Sequence, residues 1–111
     1  MSAGSQGLGL SGAARRELRR LAHPLRPVVQ IAGAGLTTTL VDAVDRALED
    51  HELIKLQIVH DRDARRELAD EVARRTRSEL AGMVGRIAIL YRPAADPERR
   101  RIDPTARSLS G

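Results

Sequence analysis

The 111-residue chain has no cysteine, tryptophan or phenylalanine, and Tyr91 is its one aromatic residue. Without cysteine there is neither a disulfide framework nor a thiolate metal site. With one ring, the chain lacks the two- or three-ring platform on which many nucleic-acid readers stack bases. No apolar run approaches the ~18 residues a membrane span requires. The Gly/Ser-rich first dozen residues have neither the basic nor the apolar region of a secretory signal. A cytoplasmic protein is the expectation. Lysine is almost missing too: of 19 basic residues, only Lys55 is not arginine. Arginine suits phosphate because its planar fork bonds bidentately, although a GC-rich genome would also raise arginine together with alanine.

Enzyme signatures are equally scarce. No Gly-x-x-x-x-Gly-Lys-[Ser/Thr] run is present, the three histidines are scattered, and no nucleophile stands beside a base. His23 and His51 sit at a turn and a helix end, where capping is the usual role. No catalytic residue, cofactor or metal is expected.

The net charge of +4 is unevenly placed. Residues 1–26 carry five arginines against Glu17, whereas residues 37–52 carry Asp42, Asp45, Glu49, Asp50 and Glu52 against Arg46. Such polarity favours one binding face and one solvated acidic face.

Periodicity predicts an N-terminal helix followed by βαβαββ, an α/β (α+β) fold. Ser11 can cap a first helix with Ala14, Leu18, Leu21 and Ala22 on one face and Arg15, Arg16, Arg19 and Arg20 on the other. Pro24 and Pro27 end it, and Val28–Ile31 is a first strand. A second helix is expected over Thr38–Asp50 with Leu40, Val41, Val44, Ala47 and Leu48 inward. Leu53–Val59 alternates as a strand, with Lys55 on the face opposite Ile54, Leu56 and Ile58. Asp61 or Asp63 can cap a third helix with the stripe Ala64, Leu68, Val72 and Ala73. Leu80–Val84 and Ile87–Tyr91 form a hairpin across Gly85-Arg86. Two βα units and a hairpin imply a four-stranded mixed sheet with the second and third helices on one face. The ordered domain should span residues 11–93, between a flexible segment 1–10 and a disordered basic tail 94–111 that contains Arg99, Arg100 and Arg101.

The segment Ala32-Gly-Ala-Gly-Leu-Thr37 lies between a strand and a helix start. There glycines let backbone N–H groups approach a phosphate unobstructed. With five arginines just upstream, the expected ligand is a polyanion, read by shape because bases have little to stack on. The bland alternatives are a structural turn, a solvated arginine face, and Lys55 as an edge-strand gatekeeper.

The motifs Leu21-Ala-His-Pro-Leu-Arg-Pro-Val28, Gly35-Leu-Thr37, His51-Glu-Leu-Ile-Lys55 and Leu90-Tyr-Arg-Pro93, in this order, resemble the CRM domain family. The chain looks like its stand-alone bacterial members, the YhbY-like RNA-binding proteins. The resemblance implies a fold similar to the C-terminal domain of translation initiation factor three. It also implies binding to structured ribosomal RNA, with a role in assembly of the large ribosomal subunit. Ala32 stands where the family's first loop glycine belongs, and Gly33 follows it. The expected RNA-binding residues are Arg15, Arg16, Arg19, Arg20, Arg26, Gly33, Ala34, Gly35, Lys55 and Arg92. The chain is expected to act as a monomer on precursor large-subunit RNA, with no small-molecule substrate. The competing reading is an adaptor whose acidic second helix docks a basic ribosomal or assembly protein.

Overall fold

The computed structural model describes residues 10–104. The expected flexible start (except Leu10) and the last part of the expected tail lie outside the described residues. Three helices, α1 (Gly12–Ala22), α2 (Thr38–His51) and α3 (Arg62–Arg75), accompany four strands, β1 (Pro27–Ile31), β2 (Leu53–Ile58), β3 (Glu79–Val84) and β4 (Ile87–Tyr91). Each helix begins where a side-chain oxygen can take an orphan amide. Ser11 Oγ accepts from Ala14 N at 3.1 Å, Thr37 Oγ1 from Leu40 N at 3.1 Å, and Asp61 Oδ1 from Ala64 N at 2.9 Å. Of the two aspartates open to that third role, Asp61 fills it.

The sheet order is β1-β2-β4-β3, with β1 and β2 parallel and the other pairs antiparallel. It is a mixed sheet in an α+β fold, as expected. Alternation along β2 decides which side chains go where. Ile54, Leu56 and Ile58 pack with Ile31, Ala88 and Leu90 against Val44 and Leu48 of α2 and Ala69 and Val72 of α3. Leu53, Ile89 and Tyr91 face the other way, where α1 lays Leu18 and Ala22 across the sheet. The sheet is therefore covered on both faces, with α1 alone on one of them.

This two-sided arrangement changes the reading of Lys55. Strand β2 is paired on both sides, so Lys55 is not an edge residue. Its Nζ donates to His23 O at 3.0 Å, neutralising the carbonyl end of α1 and tying it to the sheet.

Part of the segment expected as a tail makes contacts that its composition does not signal. Residues 94–104 fold back along the molecule through a 3₁₀ turn, Pro97–Arg99. They are pinned by Glu52, which is 3% exposed. Its carboxylate accepts from Ala94 N at 3.2 Å, Arg101 N at 3.2 Å and Ile102 N at 3.1 Å. The Tyr91 hydroxyl donates to Ile102 O at 3.2 Å, and Ile102 packs against the α1-side core. A few apolar contacts and one multivalent acceptor outweigh the segment's polar composition.

Burial, with the Glu52 carboxylate nearby, raises the Tyr91 phenol above its ordinary value. Because the folded state holds this proton more tightly, the Tyr91 contribution is complete below pH ~10 and is lost as pH rises through the raised value. Tyr91 is the one tyrosine, so its phenolate absorbance can be titrated without interference. The expected midpoint lies above ~10 in folded protein and falls on addition of denaturant. A folded-state midpoint at or below that of free tyrosine would contradict this packing.

Candidate nucleic-acid interface

The glycine segment leaves the C-terminal end of β1 as a tight turn. Gly35 N donates to Ala32 O at 3.2 Å, and the conformation needs positive φ at Gly33 (59°) and Gly35 (85°). The two glycines differ in surroundings. Gly33 and Ala34 are exposed, and a Cβ on Gly33 would meet nothing within 4 Å. Gly35 is buried, and a Cβ there would lie 3.7 Å from Leu68 Cδ2 of α3. The loop therefore rests on α3 through Gly35 and presents Gly33-Ala34 outward. Immediately after it, exposed Thr37, Thr38 and Thr39 open α2, whose first turn holds no acidic residue. Free amides, the positive end of the helix dipole and an open turn together make a phosphate-compatible surface.

Because β1 and β2 are parallel, the loop after β2 lies beside the loop after β1. His60 Nε2 lies 3.4 Å from Gly33 O, and Arg65 donates from Nη1 to His60 O at 2.8 Å. Sequence reading missed both residues. The available signal was topological: ligands of such sheets gather at the carboxyl ends of parallel strands, and His60 follows β2 directly.

The arginines expected on one solvent face of α1 divide into two sets. Arg15 donates to Leu80 O and Arg19 to Ala81 O at 3.3 Å, both on edge strand β3. Gly82 leaves room for this, since a Cβ there would meet Arg19 Cδ at 2.7 Å. Arg16 and Arg20 are exposed. Arg20 forms an ion pair with Glu17 at 2.6 Å, whereas Arg16 has no partner among the described residues. Arg26 is likewise exposed and unpartnered, at the N-terminal end of β1 near the level of Lys55. From there to Gly33 the chain advances roughly 20 Å at about 3.3 Å per residue, so Arg26 and the loop mark the two ends of β1. Between them the α1 side of the sheet is partly uncovered. Val28 and Gln30 are exposed there, and Gln57 is half-buried.

Arg92 is not brought to this surface. It follows β4, whose last residue pairs with Leu53 at the start of β2, the end of the sheet opposite the glycine loop. Its guanidinium bonds Asp45 Oδ1 at 2.7 Å, Asp45 O at 3.0 Å and Thr76 O at 2.8 Å, and lies 3.5 Å from Glu49 Oε1. Arg92 thus clips α2 to the end of α3, and it engages two of the acids that a partner docking on α2 would need. Replacement by glutamine should lower stability by about 2 kcal/mol, since it breaks charge-assisted bonds on a mostly buried group. RNA affinity, measured where both proteins are folded, should be unchanged. A large affinity loss at unchanged stability would place Arg92 in the interface after all.

Among the described residues, no helix is long and apolar enough to cross a membrane. No group of three His, Asp or Glu could hold a metal ion.

Comparison with known proteins agrees with this architecture. The model of the CRS1 / YhbY (CRM) domain matches residues 10–92. The Probable RNA-binding protein PA4753 of Pseudomonas aeruginosa is 36% identical over 93 residues, covering 83% of this chain and 89% of that protein. An RNA-binding protein of Haemophilus influenzae is 35% identical over 88 residues, 78% of this chain and 89% of that protein. The solution structure of the hypothetical protein SAV1595 from Staphylococcus aureus superposes with a TM-score of 0.73 at 33% identity. It covers 85% of this chain and 99% of that one. None of these names is that of an enzyme. The match over nearly all of the described residues, at this identity and with the same fold, makes the chain a member of the CRS1 / YhbY (CRM) domain family.

Proposed function

We propose that this protein binds structured ribosomal RNA through the glycine loop and a basic face on the α1 side of the sheet, and that it acts in assembly of the large ribosomal subunit. One observation carries the reading: the exposed Gly33-Ala34 turn at the acid-free start of α2, in a chain whose relatives bear RNA-binding names. Of the basic residues expected to contact RNA, Arg16 and Arg26 are exposed without a partner among the described residues, and Gly33 and Ala34 supply open backbone. Arg15, Arg19 and Lys55 contribute positive potential while holding α1 in place. With Tyr91 buried at 2% exposure, no aromatic residue is offered to bases. Recognition therefore rests on phosphates, 2′-hydroxyls and shape.

The assembly role draws on the likeness to stand-alone bacterial members. A shape reader of this kind suits a folded RNA segment exposed only in precursor particles. Titration with large-subunit RNA fragments should show steep salt dependence, with a log–log slope on the order of −4 for five contacts. In a sucrose gradient the protein should travel with precursor large subunits and be depleted from mature ribosomes. Binding that needs a protein partner, or sedimentation with small-subunit particles, would overturn the proposal and favour docking through α2.

A further inference from the structure

The hairpin turn Gly85-Arg86 lies at the same end of the sheet as the glycine loop, because Ile87 pairs with Gln57 and Ile31 with Ile58. Between this turn and the start of α3 runs a groove lined by Arg62, Arg65, Arg66, Met83 and Gly85, with no acidic residue in its lining. Helical geometry produces this segregation. Arg62, Arg65 and Arg66 share a sector of roughly 100° on α3, while Asp63 and Glu67 lie outside it, roughly 100° and 140° around from Arg62. Arg62 is exposed and, like Arg86 on the turn, has no partner among the described residues. Arg66 shares only an exposed pair with Asp70 at 3.3 Å. Arg65 is fixed through Nη1 on His60 O, yet its Nε is buried without a partner, as is His60 Nδ1. An unmet buried donor disfavours folding, so the position of this guanidinium is poorly explained by stability alone.

The geometry points to a second phosphate-binding seat in this groove, so that the protein holds two backbone segments of one folded RNA: one at the glycine loop, one at Arg62, Arg65 and Arg66. The inference rests on the RNA reading above and deepens it. Spacing supports two segments rather than one continuous strand. The glycine loop leaves β1, and the hairpin lies between β4 and β3, about 12 Å away at ~4.8 Å per strand. In a folded RNA two backbone segments face each other across a groove, whereas a single strand offers one. The two seats are joined by the contacts of His60 with Gly33 and Arg65. A groove-spanning pair of seats also explains how a chain without a base-stacking surface distinguishes folded RNA from a single strand.

The test compares an RNA hairpin with oligo(U) of equal length, using the full chain and the double variant Arg62→Gln/Arg66→Gln. Both side chains are exposed, and circular dichroism with thermal melting checks the fold. A single Arg86→Gln variant provides an independent probe on the turn. For the hairpin, losing two phosphate contacts should flatten the log–log salt slope by about 1.5 and weaken binding on the order of 30-fold at 0.1 M salt. Oligo(U) binding should be unchanged, and Arg62→Lys/Arg66→Lys should restore most hairpin affinity. Unchanged hairpin binding in both glutamine variants overturns the second seat while leaving the RNA reading intact. Equal losses for hairpin and oligo(U) also overturn it, because they indicate a diffuse field. If the unmodified protein binds neither RNA, the RNA reading fails and this inference with it.

Discussion

Gly33→Asp should weaken binding to structured RNA by about 10- to 100-fold, while Gly33→Asn should remain within a few-fold of the parent protein. The two side chains are near-isosteric, and both tolerate the left-handed conformation (φ 59°) better than other non-glycine residues. The position is open, since a Cβ would meet nothing within 4 Å. The two variants should therefore share a similar small stability loss, about 1 kcal/mol, and differ chiefly in charge. A carboxylate roughly 5 Å from a phosphate is opposed by about 3 kcal/mol at an effective dielectric near 20, reduced by salt. What remains corresponds to the stated range. Gly35→Asp tests the loop less cleanly. At φ 85°, buried and against Leu68, it would disturb packing as well as charge. Filter binding or fluorescence anisotropy at two salt concentrations decides the matter. Equal affinities for the Asp and Asn variants would show that no phosphate approaches Gly33.

Glu52→Ala should release residues 94–104 and lower stability by about 2–4 kcal/mol. The side chain is buried and accepts three backbone N–H groups from this segment. Bonds to a charged acceptor are worth about 1.5–3 kcal/mol each when isolated. The freed amides regain water, so the total is well below the sum. Tyr91 also loses its acceptor and Ile102 its packing. Trypsin should then cut at Arg99, Arg100 and Arg101 much faster than in the parent protein, whereas the helical arginines stay protected. Glu52→Gly separates this effect from backbone strain. Glu52 has φ 67°, so glycine should be about 1 kcal/mol more stable than alanine there, with the same susceptibility to trypsin. Urea unfolding and a proteolysis time course measure both. Unaltered cleavage in Glu52→Ala would show that the carboxylate does not hold the segment.

Much of the fold was legible because its signals are local. Ser11, Thr37 and Asp61 each cap a helix by bonding an amide three residues on. Gly85, at φ 58°, makes the hairpin turn, and the alternation of Leu53–Ile58 assigns Lys55 to its face. Positive φ at Gly33 and Gly35 likewise follows from a turn that only glycine adopts without cost. These features are settled within one turn of chain, by residues that meet no competing partner.

Tertiary structure alone decided what the charged residues do. Arginines on one stretch of α1 look alike in sequence, yet Arg15 and Arg19 bond carbonyls of β3, 65 and 62 residues away, while Arg16 remains free. Lys55 is expected from sequence to contact RNA, with an edge-strand gatekeeper as the alternative, yet its strand is paired on both sides and its ammonium serves the end of α1. Arg92 is drawn to α2, Glu52 collects amides from the C-terminal segment, and His60 meets Gly33. Apolar periodicity carries its own answer, because burial has one direction. A long polar side chain can be satisfied by water, phosphate or a distant carbonyl, and only the strand order and the crossing of α1 determine which of these lies within reach.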